Sequence, residues 1–89
     1  PLSERQPPRP LREVGAAHGA RSFSVDGNDV IQVAETAREA IGHVRSGGGP
    51  VFIEAVTYRW REHCGPNYDY DLGYRSQAEV VAWEQRCPI

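Results

Sequence analysis

Eighty-nine residues, 39% hydrophobic and 25% charged, describe one folded domain or part of one, near the size at which a single core barely suffices. A net charge of −2 with a pI of about 5.9 gives no electrostatic case for nucleic acid or an anionic membrane as partner. No apolar run nears the roughly 20 residues of a membrane span, and all ten basic residues are arginine, which rules out a lysine Schiff base or lysine phosphate clamp.

The two cysteines, Cys64 and Cys87, lack metal-ligand spacing and read as free thiols of a reducing cytoplasm. There is no signal-peptide pattern. The opening Pro1-Leu2-Ser3, the absence of methionine and the ending Cys87-Pro88-Ile89 read as a piece cut from a longer protein.

Residues 1–10, with four prolines, form an extended lead-in. Leu11, Val14 and Ala17 recur at helical spacing and predict a helix over 10–19, stopped by Gly19, with His18 capping its negative end. Residues 21–25 alternate as a strand. After the turn Asp26-Gly27-Asn28, Asp29 with Gln32 makes a capping-box-like start for a helix over 29–46. Its apolar stripe is Val30, Val33, Ala34, Ala37, Ile41 and Val44, with Glu35, Arg38 and Glu39 solvated opposite and His43 paired to Glu39. The run Ser46-Gly47-Gly48-Gly49-Pro50 follows a helix and precedes a strand, so it stops the helix rather than cradling a phosphate.

Residues 51–57 are nearly continuously apolar, as a parallel strand buried on both faces requires, and complete a right-handed βαβ unit. Glu54 is the misfit and needs a partner, for which an arginine is the first candidate and a catalytic acid the second. The loop 58–75 then gathers His63, Cys64, the charged neighbours Arg59, Arg61, Glu62, Asp69 and Asp71, and five aromatics (Tyr58, Trp60, Tyr68, Tyr70, Tyr74) beyond the carboxyl end of a strand, where open α/β sheets place ligands. His63 cannot easily activate the adjacent Cys64, because neighbouring side chains on extended chain point apart. A metal site fails on ligand count. Ser76 and Glu79 open a last helix over 76–87, with Val80, Trp83 and Cys87 on one stripe, halted before Pro88.

Taken together, VDGNDV, AETAREA, GGGPVFIEAVTYR, the loop histidine, the later YR and the Trp-bearing helix before Pro88-Ile89 resemble a known family over most of the chain. That family is the α subunit of the thiamine diphosphate-dependent dehydrogenase component of 2-oxo acid and acetoin dehydrogenase complexes. The resemblance implies an α/β fold: part of a three-layer thiamine diphosphate-binding fold with a mainly parallel sheet, of which this chain is the C-terminal portion. It implies oxidative decarboxylation of a 2-oxo acid with acyl transfer to a lipoyl group, or acetoin cleavage, carried out with a β subunit and a lipoyl acyltransferase component. Thr57-Tyr58-Arg59 matches the family's T-Y-R, His63 its loop histidine and Tyr74-Arg75 its closing pair. His63 is thereby implied as the catalytic and cofactor-contacting residue. Arg59 is implied beside it at the cofactor, or holding the loop with Arg75 through ion pairs.

Three positions depart from the family pattern. Glu62 replaces a glycine and adds negative charge near a diphosphate, Cys64 replaces a phosphorylatable serine, and Asn67 stands where an aspartate is usual, with Asp69 near. The magnesium- and diphosphate-binding motif G-D-G…N-N is absent, so this stretch alone is expected to be inactive and to hold no metal. Two readings of other kinds remain open at this level: a structural module that packs its aromatic loop on a partner chain, and a Cys64-based hydrolase.

Overall fold

The computed structural model describes residues 6–89, so half of the proline-rich lead-in lies outside the described residues. The chain runs α1 (Arg12–Ala17), β1 (Arg21–Asp26), α2 (Val30–Arg45), β2 (Val51–Val56), a 3₁₀ turn (Tyr70–Leu72) and α3 (Gln77–Glu84). It divides into two compact units, residues 8–57, and residues 58–89 together with 6 and 7.

In the first unit β1 and β2 pair in parallel, Arg21 opposite Val51 through Asp26 opposite Val56, with α2 as the crossover between them. Strand alternation sends successive side chains to opposite faces. Val51 and Ile53 look toward α2, where they line a groove with Ala40, Ile41 and Val44. Ser22 and Phe52 look the other way, against α1: a Cβ on Gly15 of that helix would stand 2.5 Å from the Phe52 Cβ and 2.8 Å from the Ser22 Oγ. The sheet therefore lies between two helices, and glycine at position 15 lets α1 approach it closely. Val25 and Ala40 form the buried centre.

Local chemistry fixes the ends of the helices. The Asp29 carboxylate accepts from the Ile31 and Gln32 amides, both at 3.0 Å, and these bonds hold its pKa below the ordinary carboxylate range, the Gln32 amide contributing most. The Gln32 side chain bonds that same carboxylate at 2.7 Å instead of returning to the Asp29 amide, so the capping box is half of the usual form. At the other end Gly48 N–H reaches His43 O and Gly47 N–H reaches Val44 O, with Gly47 at φ +81°. Ala20 and Gly19 repeat the pattern on Gly15 and Ala16 after α1. Both are Schellman stops, and the left-handed residue in each is glycine for want of a Cβ.

Several expectations need correction. Helix α1 covers 12–17 rather than 10–19, because Pro10 contributes only a carbonyl to the first turn. Strand β2 is exposed at Ile53 and Val56 instead of buried on both faces, since one neighbouring strand and one helix on each face do not cover it fully. The face of α2 that packs runs through Val33, Thr36, Ala37 and Ala40, while Val30, Ile41 and Val44 of the expected stripe are at least half exposed. Glu39 pairs with Arg21 of β1, not with His43, whose ring lies over Gly48. Among the described residues Glu54 pairs with no arginine. Its carboxylate accepts the backbone N–H groups of Leu11 at 3.2 Å and Arg12 at 3.1 Å, capping α1 from the neighbouring strand, where orphan amides and the positive helix end both favour a carboxylate. Helix α3 ends at Glu84 rather than 87, because the amides of Arg86 and Cys87 bond three residues back and tighten the chain before Pro88.

Glu54→Ala removes that cap and costs about 1 kcal/mol, while Gly15→Ala overpacks the α1–sheet contact at about 1–3 kcal/mol. Thermal unfolding reads both, and amide exchange in residues 12–17 accelerates in each.

Candidate active site

Residues 58–89 fold around α3. The Ser76 Oγ accepts from the Glu79 amide at 3.1 Å, and Val80 supplies the buried centre at 1% exposure. On the same helix Trp83 stacks on Tyr58, ring centroids 5.3 Å apart and 9° from parallel. The chain between Tyr58 and Ser76 returns on itself instead of wandering as a loop.

Its tip is a small hairpin that the sequence reading missed. Arg61 and Tyr68 form an antiparallel bridge, and Glu62 N–H donates to Asn67 O at 2.9 Å. The Glu62 carboxylate accepts from the Asn67 side-chain amide at 2.8 Å and its backbone N–H at 3.3 Å. The two departures from the family pattern, Glu62 and Asn67, thus satisfy one another, and the Glu62 charge closes the hairpin. The Arg61 guanidinium donates to the Pro66 carbonyl and lies 4.9 Å from the centre of the Tyr68 ring, a cation–π contact. The Tyr68 hydroxyl donates to Glu84 at 2.8 Å; that bond, then the Glu84 charge, pushes its acidity weaker than that of free tyrosine.

The base of the hairpin is closed by Asp69, 3% exposed. Its carboxylate accepts from the Tyr74 hydroxyl and from Arg75, whose Nε lies at 2.6 Å and whose Nη2 completes a fork. Burial alone would raise the Asp69 pKa, but the Tyr74 and Arg75 hydrogen bonds and the Arg75 charge outweigh it and hold the carboxyl below its usual range. The Tyr74 hydroxyl is pushed up, first by its bond to Asp69. Arg75 also loses water to burial, an effect overcome by Asp69 and Tyr58. Its remaining donors go to the carbonyls of Arg59 and, at 3.1 Å, of Trp60. One guanidinium therefore joins the chain leaving the hairpin to the chain entering it.

His63 is exposed at the hairpin turn. Its Nδ1 lies 3.2 Å from Arg59 Nη1, and Arg59 Nη2 donates to the carbonyls of Glu62 and, at 2.8 Å, of His63. The structure therefore brings the His63 and Arg59 side chains together, while the Arg75 guanidinium pairs with Asp69 and donates to the Arg59 carbonyl. The ion pair expected of Arg75 is present, whereas the described bonds of Arg59 go to carbonyls and a ring nitrogen. Cys64 is exposed and Cys87 half-buried, both as free thiols. Among the described residues no group of three or more His, Cys, Asp or Glu could hold a metal ion, and no helix is long and apolar enough to cross a membrane. The missed anchor, Asp69, carried a faint signal: an acid five residues before the closing Tyr-Arg pair is within reach of both when the intervening residues form a tight turn.

A parallel α/β sheet between helices, joined in sequence to a histidine-tipped flap, defines the class. Residues 6–89 match the family described as Dehydrogenase E1 component, and the chain belongs to it. It is 42% identical over 79 residues to the pyruvate dehydrogenase E1 component subunit alpha of Porphyra purpurea, covering 89% of this chain and 22% of that protein. It is 37% identical over 89 residues to the 3-methyl-2-oxobutanoate dehydrogenase subunit alpha of Mycobacterium tuberculosis, covering all of this chain and 24% of that one. A third relative, the pyruvate dehydrogenase E1 component subunit alpha of Rhizobium meliloti, is 44% identical over 66 residues, 74% of this chain and 18% of the relative. The chain thus spans a quarter or less of the length of these curated relatives. No solved structure matches it.

Because the folded-state pKa of Asp69 is depressed, the stability it contributes is complete above the ordinary carboxylate range near pH 4 and is lost as pH falls through the lower folded value. Tryptophan fluorescence from Trp60 and Trp83 should report loosening of the flap below about pH 4, and Asp69→Asn should show the loosened signal already at neutral pH.

Proposed function

We propose that this chain is the C-terminal portion of the α subunit of a thiamine diphosphate-dependent 2-oxo acid dehydrogenase and carries the flap that meets the cofactor. The observation that carries this reading is the placement of His63: an exposed imidazole at the tip of a hairpin that is braced at its base and across its strands. The relatives' names, pyruvate and 3-methyl-2-oxobutanoate dehydrogenase subunits, favour a pyruvate-like or branched-chain 2-oxo acid over acetoin. In this reaction the 2-oxo acid loses carbon dioxide. Its acyl group then passes to a lipoyl sulfur, the lipoyl disulfide being reduced to one thioester and one thiol.

The donor chemistry of the flap fits a diphosphate. The His63 Nε2 makes no hydrogen bond to the described residues, and the one carboxylate that would repel an anion beside it, Glu62, is taken up by Asn67. Thiamine diphosphate, when bound, supplies the carbanion-stabilising chemistry of the decarboxylation. His63 holds a proton at Nε2 for a diphosphate oxygen or for an oxygen gaining charge during acyl transfer, the work for which an imidazole is suited near neutral pH. Magnesium would take its ligands from outside the described residues. The partners proposed are a β subunit and the lipoyl acyltransferase component, and two free cysteines support a cytoplasmic setting.

His63→Ala in the complete subunit, assembled with its β partner, should lower reductive acylation of a lipoyl domain by roughly 10²–10⁴-fold while the Asp69–Arg75 anchor keeps the flap folded. Acylation at the wild-type rate would remove His63 from the mechanism.

A further inference from the structure

We propose that Arg59 is the positioning residue that fixes the tautomer of His63, so that the proton of the neutral ring sits on Nε2. This inference rests on the functional reading above for its consequence, though its geometry stands apart from it.

A guanidinium has five N–H donors, no acceptor, and does not give up its proton in proteins. The ring nitrogen 3.2 Å from Arg59 Nη1 is Nδ1, so Nδ1 must present its lone pair. A proton there would set two donors against each other. The neutral ring then carries its hydrogen on Nε2, the nitrogen that points away from Arg59 across the ring. Arg59 is itself held: its Nη2 is anchored by the carbonyls of Glu62 and His63, the second belonging to the residue it orients. Its own carbonyl accepts from Arg75, which is clamped by the buried Asp69. Asp69, Arg75, Arg59 and His63 thus form one chain of hydrogen bonds from the interior of the flap to its tip.

The same bonds redefine what Arg59 does toward an anionic cofactor. Three of its five N–H donors bond within the flap, and its contribution is made through the imidazole they orient. Outer partners of a functional histidine act in this way when they set which nitrogen is the donor.

The test uses the assembled holoenzyme and its cofactor-free form, labelled with isotopic nitrogen in histidine. The His63 signals are assigned by their absence in His63→Gln. The expected result in the cofactor-free wild type is an unprotonated Nδ1 and a protonated Nε2. Arg59→Met should give a mixture of the two tautomers with acylation reduced on the order of tenfold. Arg59→Lys, which restores a cationic donor without the fork, should recover the Nε2–H tautomer. A wild-type signal with the proton on Nδ1, or an unchanged tautomer in Arg59→Met, would overturn the proposal. Wild-type acylation in His63→Ala would instead overturn the functional reading and leave the nitrogen signals as they are, so the two failures are distinguishable.

Discussion

The buried carboxylate of Asp69 and the guanidinium of Arg75 set the terms for the flap. Without that pair, the segment from Arg59 to Tyr74 would be a long polar connection with little apolar surface to hold it. With it, one side chain ties the outgoing strand to the carbonyls of Arg59 and Trp60 on the incoming strand. A fork of donors does this where a single ammonium could not, because it meets a carboxylate and backbone oxygens at the same time. The Glu62–Asn67 clasp and the Tyr68–Glu84 bond then brace the hairpin further out.

The first unit solves a different problem with similar means. A two-stranded sheet and a six-residue helix leave little interior, and among the described residues Gly15, Val25 and Ala40 are the ones buried there. Polar bonds therefore carry much of the definition: Glu54 caps α1 across the sheet, Asp29 caps α2, and two glycine-ended stops terminate the helices. The apolar surface left over on α2 and β2, at Val30, Ile31, Ile41, Ile53 and Val56, belongs with a chain that spans a quarter or less of its relatives' length.

Substitutions that look disruptive in the sequence turn out to be mutually supportive. Glu62 puts a carboxylate where glycine is usual, and Asn67 removes one where aspartate is usual. Facing each other across the hairpin, they neutralise the problem that each would pose alone. The carboxylate that anchors the flap is Asp69, which accepts from Tyr74 and Arg75.

The sequence by itself determined the order of elements, the capped starts at Asp29 and Ser76, the glycine stops, the parallel βαβ unit and the family, because these depend on neighbours within a few residues or on motifs in fixed order. It also singled out His63. It could not show which face of α2 packs, why Glu54 sits in a strand, or that Asp69 governs the flap, since the bonds of those two carboxylates reach partners 5 to 43 residues away. Periodicity marks an apolar stripe but not the area available to cover it, and a carboxylate's role is set by whichever donors the fold delivers to it. Only the tertiary structure decided those matters, through packing and hydrogen bonds whose geometry local pattern does not fix.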